Sequence, residues 1–592
     1  MYAPFCDVCH LLLLFPSGTG EKLIHTKTLS LRVSAAAFFE SEVIMSLKRV
    51  GYRSYSRTKR VSEVPEPTGI PGSKRAGSAL FYQLGKTLPI AERAEGIYIY
   101  DTTGKRYLDG CSGAFAANIG HGNERVIEEA KAQVDKICFA YRTQFENGPA
   151  NELADLLARL APPELNRVFF VNSGSEAVET AIKLARQYWW SRDEKGKNFI
   201  VARRPSYHGA TLGALSCTDY APLNIPFQLT QIYVPKVSAP FCYHCPLEKE
   251  YPSCGIACAH ELSHIIRIHG ADNVAAFIAE PIGGASTGAA VPPDEYFPIV
   301  EQICHENEVL LIIDDVLAGC GRTGTFFGFD HWDITPDIVA ISKGLSGGYT
   351  PIGACISCNH IVQSVLDNGG FLHGHTYAGN PLSAAIAKEV LRVIVDEKLV
   401  ENSREMGTYL HERLWDLKGK YKIIGDVRGR GLLAGIEFVK NRQTRAPFPF
   451  HWYVSMEATE IAREHGLLIY PRRSRFGLAG DHVLIAPPLI IDQDGIDECI
   501  DLFEKTLVEL TELTEKHLVS VVPEPSDGTM PRYEQAKDVP DYAVGHIDHL
   551  AAQPDANVTY TMEDVPGDDL DETAAETGYA ISNSNNDDTE ES

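Results

Sequence analysis

The sequence lacks the long apolar runs of a membrane-spanning protein. No apolar stretch approaches the roughly 20 residues that a transmembrane helix needs. The 14 cysteines show no regular spacing of the secreted disulfide type, and most lie in apolar surroundings. The short apolar cluster at residues 11–15 follows a start without Lys or Arg, which makes a poor signal peptide. These absences favour a reducing intracellular compartment, and we expect a cytoplasmic protein.

Basic residues are also scarce. The 54 Lys and Arg residues face 79 Asp and Glu residues, and the net charge of −25 argues against a nucleic-acid-binding protein. The charge is uneven, because beyond Val521 there are 18 acidic residues against only Arg532 and Lys537. Residues 521–592 are therefore predicted to form an acidic disordered tail.

The first 75 residues have the composition of an extension. Between Ile44 and Arg60 there are six basic residues and no acidic ones. This composition resembles a mitochondrial presequence, although a solvated linker is an equally simple interpretation. Residues 1–75 are predicted to be disordered or targeting-like, and a mitochondrial location is the alternative to the cytoplasm.

The remaining chain has the composition of a globular protein, and its 592 residues suffice for more than one domain. Residues 96–109 are predicted to form a hairpin, and apolar runs at 167–171, 198–202, 275–279 and 309–313 alternate with helical patterns. Helices are predicted over 126–140 and 495–510, and over 176–190 with one apolar face made of Ala177, Ala181, Ile182, Ala185 and Trp189. This alternation predicts an α/β fold with a mostly parallel sheet covered on both faces. We expect an N-terminal segment of a small domain at 76–120, a large domain at 121–385 and the C-terminal small α/β domain at 386–515.

One lysine is the centre of the functional prediction. Residues 336–341 predict a buried strand that delivers Lys343 to its end, where glycines follow at once. A desolvated lysine amine is costly unless it is paired or neutral, and neutral amines form Schiff bases with carbonyls. A strand-end lysine that reaches solvent is the alternative. A phosphate-binding loop is excluded, because its lysine follows the glycines.

Other polar residues follow neighbouring predicted strands. The turn at 172–175 joins a strand to a helix, which indicates either an anion site or an ordinary cap with Ser173 as N-cap. Ligands of parallel sheets bind where the strands' carboxyl ends meet the loops. The sequence therefore predicts one site at this edge rather than unrelated strand-end residues. Its other candidate members are Tyr207, Glu280, Asp314, Asp315 and Lys343.

From about residue 81 to 510 the chain resembles the class III (ω-) aminotransferases of pyridoxal phosphate (PLP) fold type I. The ordered motifs that carry the resemblance are 172–177 (NSGSEA), 207–209 (YHG), 311–324 (LIIDDVLAGCGRTG), 342–344 (SKG) and 374–381 (GHTYAGNP). The resemblance implies PLP as the cofactor and a homodimer with shared active sites. It also implies two substrates, an amine or ω-amino acid donor and a 2-oxo acid acceptor such as pyruvate or 2-oxoglutarate, used in a ping-pong mechanism.

The resemblance also assigns roles to residues. Lys343 would be the Schiff-base lysine and the acid–base group, and Asp314 would pair with the pyridinium nitrogen. The remaining cofactor-binding candidates are Ser173, Gly174 and Ser175 at the phosphate, Tyr207 with His208 and Val316 at the ring, Glu280 beside it, and Thr376, which would reach the phosphate of the neighbouring subunit.

Two positions, Leu317 and Leu484, depart from the family pattern, whereas the segment with Arg472 resembles the place where ω-amino acid:pyruvate members keep a mobile arginine. Leu317 stands where many members have a glutamine. Leu484 stands where ornithine- and GABA-type members carry an arginine, which argues against those specificities and leaves Glu280 without that partner. Arg472 is the candidate for binding a substrate carboxylate, although Arg473 and Arg475 are adjacent and a solvated basic cluster is the alternative.

Two alternatives remain open at this stage. Cys242, Cys245, Cys254 and Cys258 form two close pairs that could hold zinc, or they are reduced thiols in a loop. The enzyme could also be another fold-type-I PLP enzyme, such as an aminomutase or a decarboxylase, or a catalytically silent scaffold relative. The presence of both Lys343 and Asp314 weighs against the scaffold.

Overall fold

The computed structural model describes residues 88–472 and 480–520. The predicted extension at 1–75, the predicted tail at 521–592, and both Arg473 and Arg475 lie outside the described residues.

The described strands form three sheets, and helices and loops connect the strands along the chain. The strands are β1 Ala91–Glu95, β2 Tyr98–Asp101, β3 Arg106–Leu108, β4 Arg167–Val171, β5 Phe199–Arg204, β6 Lys236–Ser238, β7 Val274–Ala279, β8 Leu310–Asp314, β9 Ile338–Ile341, β10 Gly353–Ser357, β11 Ile424–Arg430, β12 Leu433–Phe438, β13 Tyr470–Arg472 and β14 His482–Ile485.

Helices of about one to eight turns connect or follow these strands. The described helices are α1 Glu124–Lys136, α2 Gly148–Leu160, α3 Gly174–Ser191, α4 Leu212–Cys217, α5 Ala221–Asn224, α6 Ala257–His269, α7 Tyr296–Glu306, α8 Asn359–Asp367, α9 Pro381–Asp396, α10 Leu399–Lys420, α11 Val454–His465 and α12 Gln493–Ser520. Ser112–Phe115 is an irregular helical turn with non-helical backbone at Gly113 and Ala114. None of the described helices is long and apolar enough to cross a membrane.

The seven-stranded sheet has the order β4-β10-β9-β8-β7-β5-β6. The neighbours from β9 to β6 pair in parallel, whereas β10 is antiparallel to both β9 and β4. Because β10 opposes both neighbours, β4 runs in the same direction as β9. The carboxyl ends of β4, β5, β7, β8 and β9 therefore meet at one edge, which confirms the predicted mostly parallel sheet.

The centre of this sheet is a continuous apolar layer. Every residue of β7, β8 and β9 is buried. On α3 the face predicted from the sequence is buried throughout, and its alanines Ala177, Ala181 and Ala185 let the helix approach the sheet closely. These strands are buried on both faces, so the polar residues at their ends are the first groups that a ligand could contact.

Two smaller sheets flank this one in the sequence. The predicted hairpin at 96–109 is present as β2 and β3, which β1 extends into an antiparallel sheet. The four-stranded antiparallel sheet has the order β11-β12-β14-β13, and α11 and α12 pack against each other beside it. These elements lie within the ranges predicted for the small domain, and the domain boundaries themselves stay predictions.

Two helices end at other residues than the sequence indicated. The helix predicted over 126–140 ends at Lys136, because Ile137 is extended with φ −167°. The helix predicted over 495–510 continues to Ser520, since its buried face continues through Leu507, Leu510 and Thr514.

Candidate active site

Lys343 and Asp314 lie at the ends of adjacent parallel strands, β9 and β8. Both line a cavity of about 250 Å³. The backbone of Lys343 has φ 43°, in the left-handed region that non-glycine residues rarely adopt. Such strained residues concentrate at functional sites. The structure thus brings together the two residues that the sequence marked as catalytic.

The amine of Lys343 is desolvated. Burial lowers its pKa from the ordinary value of 10.5, while the charges of Asp314 and then Glu280 raise it, and Arg472 lowers it. The net direction is downward, which increases the neutral, nucleophilic fraction of the amine. The Nζ atom lies 5.7 Å from the ring centre of Phe115. The alternative of a strand-end lysine that reaches into solvent is therefore wrong.

His208 holds the Asp314 carboxylate. Its Nδ1 lies 2.8 Å from Asp314 Oδ2, and both side chains are buried. The other carboxylate oxygen, Oδ1, accepts the backbone N–H of Val316 at 3.2 Å. His208 is fixed in turn by its backbone N–H, which donates to Thr218 Oγ1 at 2.8 Å. Asp314 thus has a fixed orientation toward the cavity.

The turn after β4 ends at the start of α3, beside the cavity. Ser173 is the N-cap, and its Oγ accepts the N–H of Glu176 at 3.2 Å. Gly174 is required by close packing, because a Cβ there would lie 2.8 Å from Val316 Cγ1. Ser175 Oγ accepts the N–H of Ala210 at 3.0 Å. The capping prediction is confirmed, and the same residues line the cavity, where the helix N-terminus suits an anion.

Tyr207 and Glu280 are joined by a hydrogen bond. The backbone N–H of Tyr207 donates to Glu280 Oε2 at 3.3 Å, and the N–H of Gly284 donates to Glu280 Oε1 at 2.9 Å. Burial raises the pKa of the Tyr207 hydroxyl and also that of the Glu280 carboxyl, for which His208 and Arg203 act in the opposite direction. Both residues line the cavity, together with Val316 and Leu317.

Glu280 has no arginine at position 484, as the sequence shows, but another arginine lies beside it. Leu484 is fully buried in β14 and does not line the cavity. Instead Arg203, on β5, lies with its Nη2 atom 3.9 Å from Glu280 Oε2. Arg203 and Glu280 are 77 residues apart, so no local sequence pattern indicated this pair.

Arg472 lies at the end of β13 and lines the cavity. Its guanidinium carbon is 5.3 Å from the ring centre of Tyr220 and 5.4 Å from that of Tyr470. No carboxylate within the described residues pairs with it. Arg473 and Arg475, the other members of the basic cluster, lie outside the described residues, and the substrate-binding role of Arg472 stays a prediction.

Two of the candidate site residues, Thr376 and Asp315, do not line this cavity. Thr376 is exposed, and it does not line the cavity of its own chain. Asp315 is buried but points away from the cavity lining, and its Oδ2 accepts the N–H of Gly328 at 2.8 Å. Through this hydrogen bond the Asp315 carboxyl holds the loop at Gly328 in place. Burial raises the pKa of Asp315 well above the ordinary value.

The cavity also has apolar walls that sequence reasoning missed. Phe115, Ile282, Ala285 and Tyr470 line it. Phe115 adopts φ 65° and lies 4.9 Å from Tyr470 between ring centres. The glycine at 113 signalled a turn there, but nothing in the sequence showed that this turn faces Lys343.

The four clustered cysteines, Cys242, Cys245, Cys254 and Cys258, are free and line one small cavity of about 20 Å³. Within residues 88–472 and 480–520, however, no group of three or more His, Cys, Asp or Glu side chains is arranged to hold a metal ion. The arrangement gives no support to the predicted zinc site. The segment that carries these cysteines contacts β12 instead, where His244 Nε2 lies 2.5 Å from Glu437 Oε1.

The residues at the cavity suit PLP. A helix N-terminus with two serine hydroxyls matches a phosphate, an oriented buried carboxylate matches a protonated pyridine nitrogen, and a desolvated amine matches an aldehyde. His208 Nε2 is also buried without a hydrogen-bond partner in the described part of the chain, so the histidine uses only one nitrogen to hold Asp314.

Comparisons with known proteins agree with this geometry. The family model "Aminotransferase class-III" matches residues 82–507. The chain belongs to the class III aminotransferases. This aminotransferase is 41% identical to the uncharacterized aminotransferase YodT of Bacillus subtilis over 427 residues, which cover 72% of this chain and 96% of that protein. It is 36% identical to putrescine–pyruvate aminotransferase of Pseudomonas aeruginosa, covering 71% and 92%.

A solved relative extends the comparison to the fold and the cofactor. The ω-transaminase of Pseudomonas jessenii in complex with PMP matches with a TM-score of 0.69 and 32% identity, covering 72% of this chain and 94% of that one. The class III aminotransferase described here is therefore a PLP-dependent enzyme of the α/β class. It transfers an amino group between an amine donor and a 2-oxo acid.

Proposed function

We propose that this aminotransferase works at the cavity beside the carboxyl ends of β8 and β9, with Lys343 and Asp314 as its catalytic residues. The observation that carries the proposal is the desolvated amine of Lys343 at the end of the strand beside an oriented Asp314 carboxylate. When bound, PLP supplies an aldehyde for the amine and a ring that withdraws electrons from the substrate carbon.

Each side chain then has a definite task. The Lys343 Nζ holds the cofactor. As a free amine it acts as a base that takes a proton from the substrate carbon, and then as an acid that returns the proton to the next carbon along. Its lowered pKa allows it to act in both ways. Asp314, fixed by His208, keeps the pyridine nitrogen protonated.

The remaining residues bind and orient the cofactor. Ser173, Gly174 and Ser175 hold the phosphate with the N-terminal N–H groups of α3. Tyr207 and Val316 line the cavity and would cover the two faces of the cofactor ring, and Glu280 lines the pocket beside them. Together these contacts exclude water from the reacting atoms.

For the substrates we propose a donor that carries its amine away from a carboxylate, with pyruvate as the acceptor. Arg472 supports this, since its guanidinium lines the cavity beside Tyr220 and Tyr470 and forms no ion pair with a carboxylate of the described residues. A substrate carboxylate would pair with it. The named activity of the Pseudomonas aeruginosa relative supports pyruvate as the acceptor. Two half-reactions at one site imply ping-pong kinetics.

The active unit is proposed to be a homodimer. Thr376 is exposed and away from the cavity of its own chain, as a residue that completes a neighbour's site would be. Large apolar side chains are exposed around it, which favours burial against a second copy. They are Ile137, Phe139, Tyr141, Phe145, Leu372 and Tyr377.

The cytoplasm is the proposed compartment. The cysteines in the described ranges are all free thiols, as a reducing environment would leave them. The mitochondrial alternative depends on residues outside the described ranges.

Replacing Lys343 tests the proposal. Lys343→Ala should lower kcat by at least about 10³-fold and abolish the cofactor's absorbance band above 400 nm, because no amine then bonds to the cofactor. A donor panel with pyruvate and 2-oxoglutarate as acceptors identifies the substrates. Lys131→Ala, at an exposed position, is the matched control. Undiminished transfer in Lys343→Ala would overturn the proposal.

A further inference from the structure

Arg203 is the one buried arginine next to the cavity that neither catalysis nor substrate binding uses. With Arg322 it is one of the two fully buried arginines among the described residues, at 2% exposure. It lies on β5, four residues before Tyr207, and β5 pairs in parallel with β7, which delivers Glu280 to the same edge. A guanidinium so deeply buried is costly unless it is paired.

The partner of this charge is Glu280. Arg203 Nη2 lies 3.9 Å from Glu280 Oε2, and the same nitrogen donates to the backbone carbonyl of Glu280. Arg203 Nε has no hydrogen-bond partner in the described residues, and the guanidinium carbon is 6.0 Å from the ring centre of Tyr296. Glu280 therefore provides the only carboxylate within salt-bridge distance in the described part of the chain.

Both carboxylate oxygens of Glu280 accept hydrogen bonds from backbone segments of the cavity wall. Oε2 accepts the N–H of Tyr207, and Oε1 accepts the N–H of Gly284. These two segments follow different strands, β5 and β7, and both line the cavity. Only an ionised carboxylate offers two free acceptor oxygens, because a protonated one converts an oxygen into a donor.

We propose that Arg203 is a positioning residue that keeps Glu280 ionised, so that one carboxylate can hold the Tyr207 segment and the Gly284 segment in register on the cavity wall. The inference rests on the site proposed above. It goes beyond it in naming a residue that touches neither substrate nor cofactor and acts only through Glu280.

The charges that face Glu280 decide what happens without Arg203. They are Arg203 and Tyr207 from β5 and the loop after it, His208, Asp314 after β8, and Lys343 after β9. Burial and the Asp314 charge both favour a neutral Glu280, while His208 and Arg203 favour the ionised form. Removing Arg203 therefore leaves a buried carboxyl that takes up a proton as the pH falls.

The test is the pH profile of kcat/KM in Arg203→Met and in three companion variants. Arg203→Met should lower kcat/KM about 10- to 100-fold at neutral pH, because the two segments lose their common acceptor and the cavity wall shifts. It should also gain a limb, absent from the wild type, along which activity falls as the pH falls. Arg203→Lys keeps the charge and should retain the wild-type profile.

Glu280→Gln and the double variant Arg203→Met/Glu280→Gln complete the cycle. Neither contains the titrating carboxyl, so both should lack the new limb, and the double variant should be no slower than Glu280→Gln alone. Arg204→Met is the matched control, since Arg204 is next along the strand but exposed and paired with Asp219 at 2.7 Å. It should leave the profile unchanged.

A second readout does not depend on turnover. In the cofactor-free protein at neutral pH, the infrared band of a protonated carboxyl group should be stronger in Arg203→Met than in Arg203→Met/Glu280→Gln. The wild type and Glu280→Gln should not differ in this band.

Two results would overturn the inference. One is an Arg203→Met profile parallel to that of the wild type, and the other is a double variant that keeps the new limb. If Arg203→Met does not fold, the test uses Arg203→Lys alone. An Arg203→Lys variant with the profile expected for Arg203→Met would then overturn the inference. An inactive wild type would instead overturn the proposed function, which keeps the two failures distinct.

Discussion

Lys343 has two carboxylates facing it, and their effect on its pKa opposes the effect of burial. Asp314 is the larger of the two influences that raise the pKa, and Glu280 is the smaller. The net pKa lies below 10.5, so the amine becomes neutral at a lower pH than that of an exposed lysine. The balance between burial, the two carboxylates and Arg472 sets the pH at which the amine of Lys343 can react.

Asp314→Asn should lower the pKa of Lys343 further, because the substitution removes the strongest influence that raises it. The measurement is the pH dependence of labelling of Lys343 by an amine-reactive reagent in cofactor-free protein, followed by peptide mass spectrometry. The midpoint should move to lower pH than in the wild type. The exposed Lys131 serves as the internal reference, and a midpoint that moves upward would contradict the stated order of influences.

Phe115 should control the size of donor that the cavity accepts. Phe115→Leu removes ring atoms beside Tyr470 and Lys343, so kcat/KM for a bulky aryl amine relative to a small donor should rise about 10-fold. The ratio is measured with both donors at saturating pyruvate. Thermal unfolding checks stability, because Phe115 is buried. An unchanged ratio in a stable variant would mean that the ring does not limit the pocket.

At this scale the sequence predicted the groups that follow strands and missed those that arrive from elsewhere. Lys343, Asp314 and Tyr207 each follow an apolar run, so their shared edge could be inferred. Phe115 and Arg203 carry no such local sign. Phe115 comes from an irregular turn more than 200 residues from Lys343, and Arg203 is recognisable only when Glu280 is seen beside it.

Among the elements, α3 begins at the cavity and cannot accept a side chain at its first residue. Gly174→Ala should weaken PLP binding at least about 10-fold, because its Cβ would lie 2.8 Å from Val316 Cγ1 and push the N-terminal N–H groups out of place. The measurement is cofactor affinity by fluorescence titration.

Gly148→Ala is the matched control for this substitution. Gly148 is also the first residue of a helix, α2, and the atom nearest to a Cβ there is Glu152 Oε1 at 3.8 Å. Its cofactor affinity should equal that of the wild type. Equal affinities for the two variants would show that the helix start tolerates the shift.

The cysteine insertion is held to β12 by a buried ion-pair cluster. Glu437 contacts His244 at 2.5 Å and Arg428 at 2.8 Å, and Arg428 also donates to the carbonyl of Thr287 in the loop that lines the cavity. Burial alone would raise the pKa of Glu437, but the Arg428 charge and the His244 contact lower it to about 2.

Glu437→Gln should lower the free energy of unfolding by about 1.5–3 kcal/mol at pH 7, since it removes the carboxylate 2.8 Å from Arg428 and leaves that charge only Asp426, at 3.1 Å. The folded-state pKa is depressed, so the stabilisation is complete above the ordinary value of 4.5 and is lost as the pH falls toward about 2. Urea unfolding at several pH values measures both.

The control for Glu437→Gln is Asp294→Asn, at an exposed carboxylate 3.1 Å from Arg430. It should change stability by less than about 1 kcal/mol. If the two variants lose the same amount, or if the loss from Glu437→Gln persists unchanged below pH 3, the cluster does not carry the stability assigned to it.

Element types followed from periodicity, whereas pairing partners did not. The apolar runs predicted β4, β5, β7, β8 and β9 within about two residues. The antiparallel strand β10 was missed, and with it the reason why the phosphate turn after β4 lies on the same edge as Lys343. Strand order depends on contacts between residues far apart in the chain, which no local pattern encodes.

For the whole molecule, a homodimer with shared sites predicts that two defective chains can restore each other. Lys343→Ala lacks the amine, and Thr376→Val should lack the phosphate contact that it gives to a neighbour. A mixed dimer contains one site with both Lys343 and Thr376. Mixing the two variants in equal amounts, unfolding and refolding them together should give about a quarter of wild-type activity.

The result is read against each variant refolded alone. Activity above the mean of the two separate samples indicates that a site takes residues from both chains. Activity equal to that mean would show that each chain completes its own site, and Thr376 would then have no part in it.

The position of β4 has a consequence for biosynthesis. Among the described strands β4 pairs only with β10, and about 180 residues separate Val171 from Gly353. At 5–20 residues per second, a ribosome needs about 10–40 s to add that length. During this interval the apolar strand that precedes the phosphate turn has emerged with both of its backbone edges open, so the nascent chain should be a client for chaperones that shield such edges until translation passes residue 357.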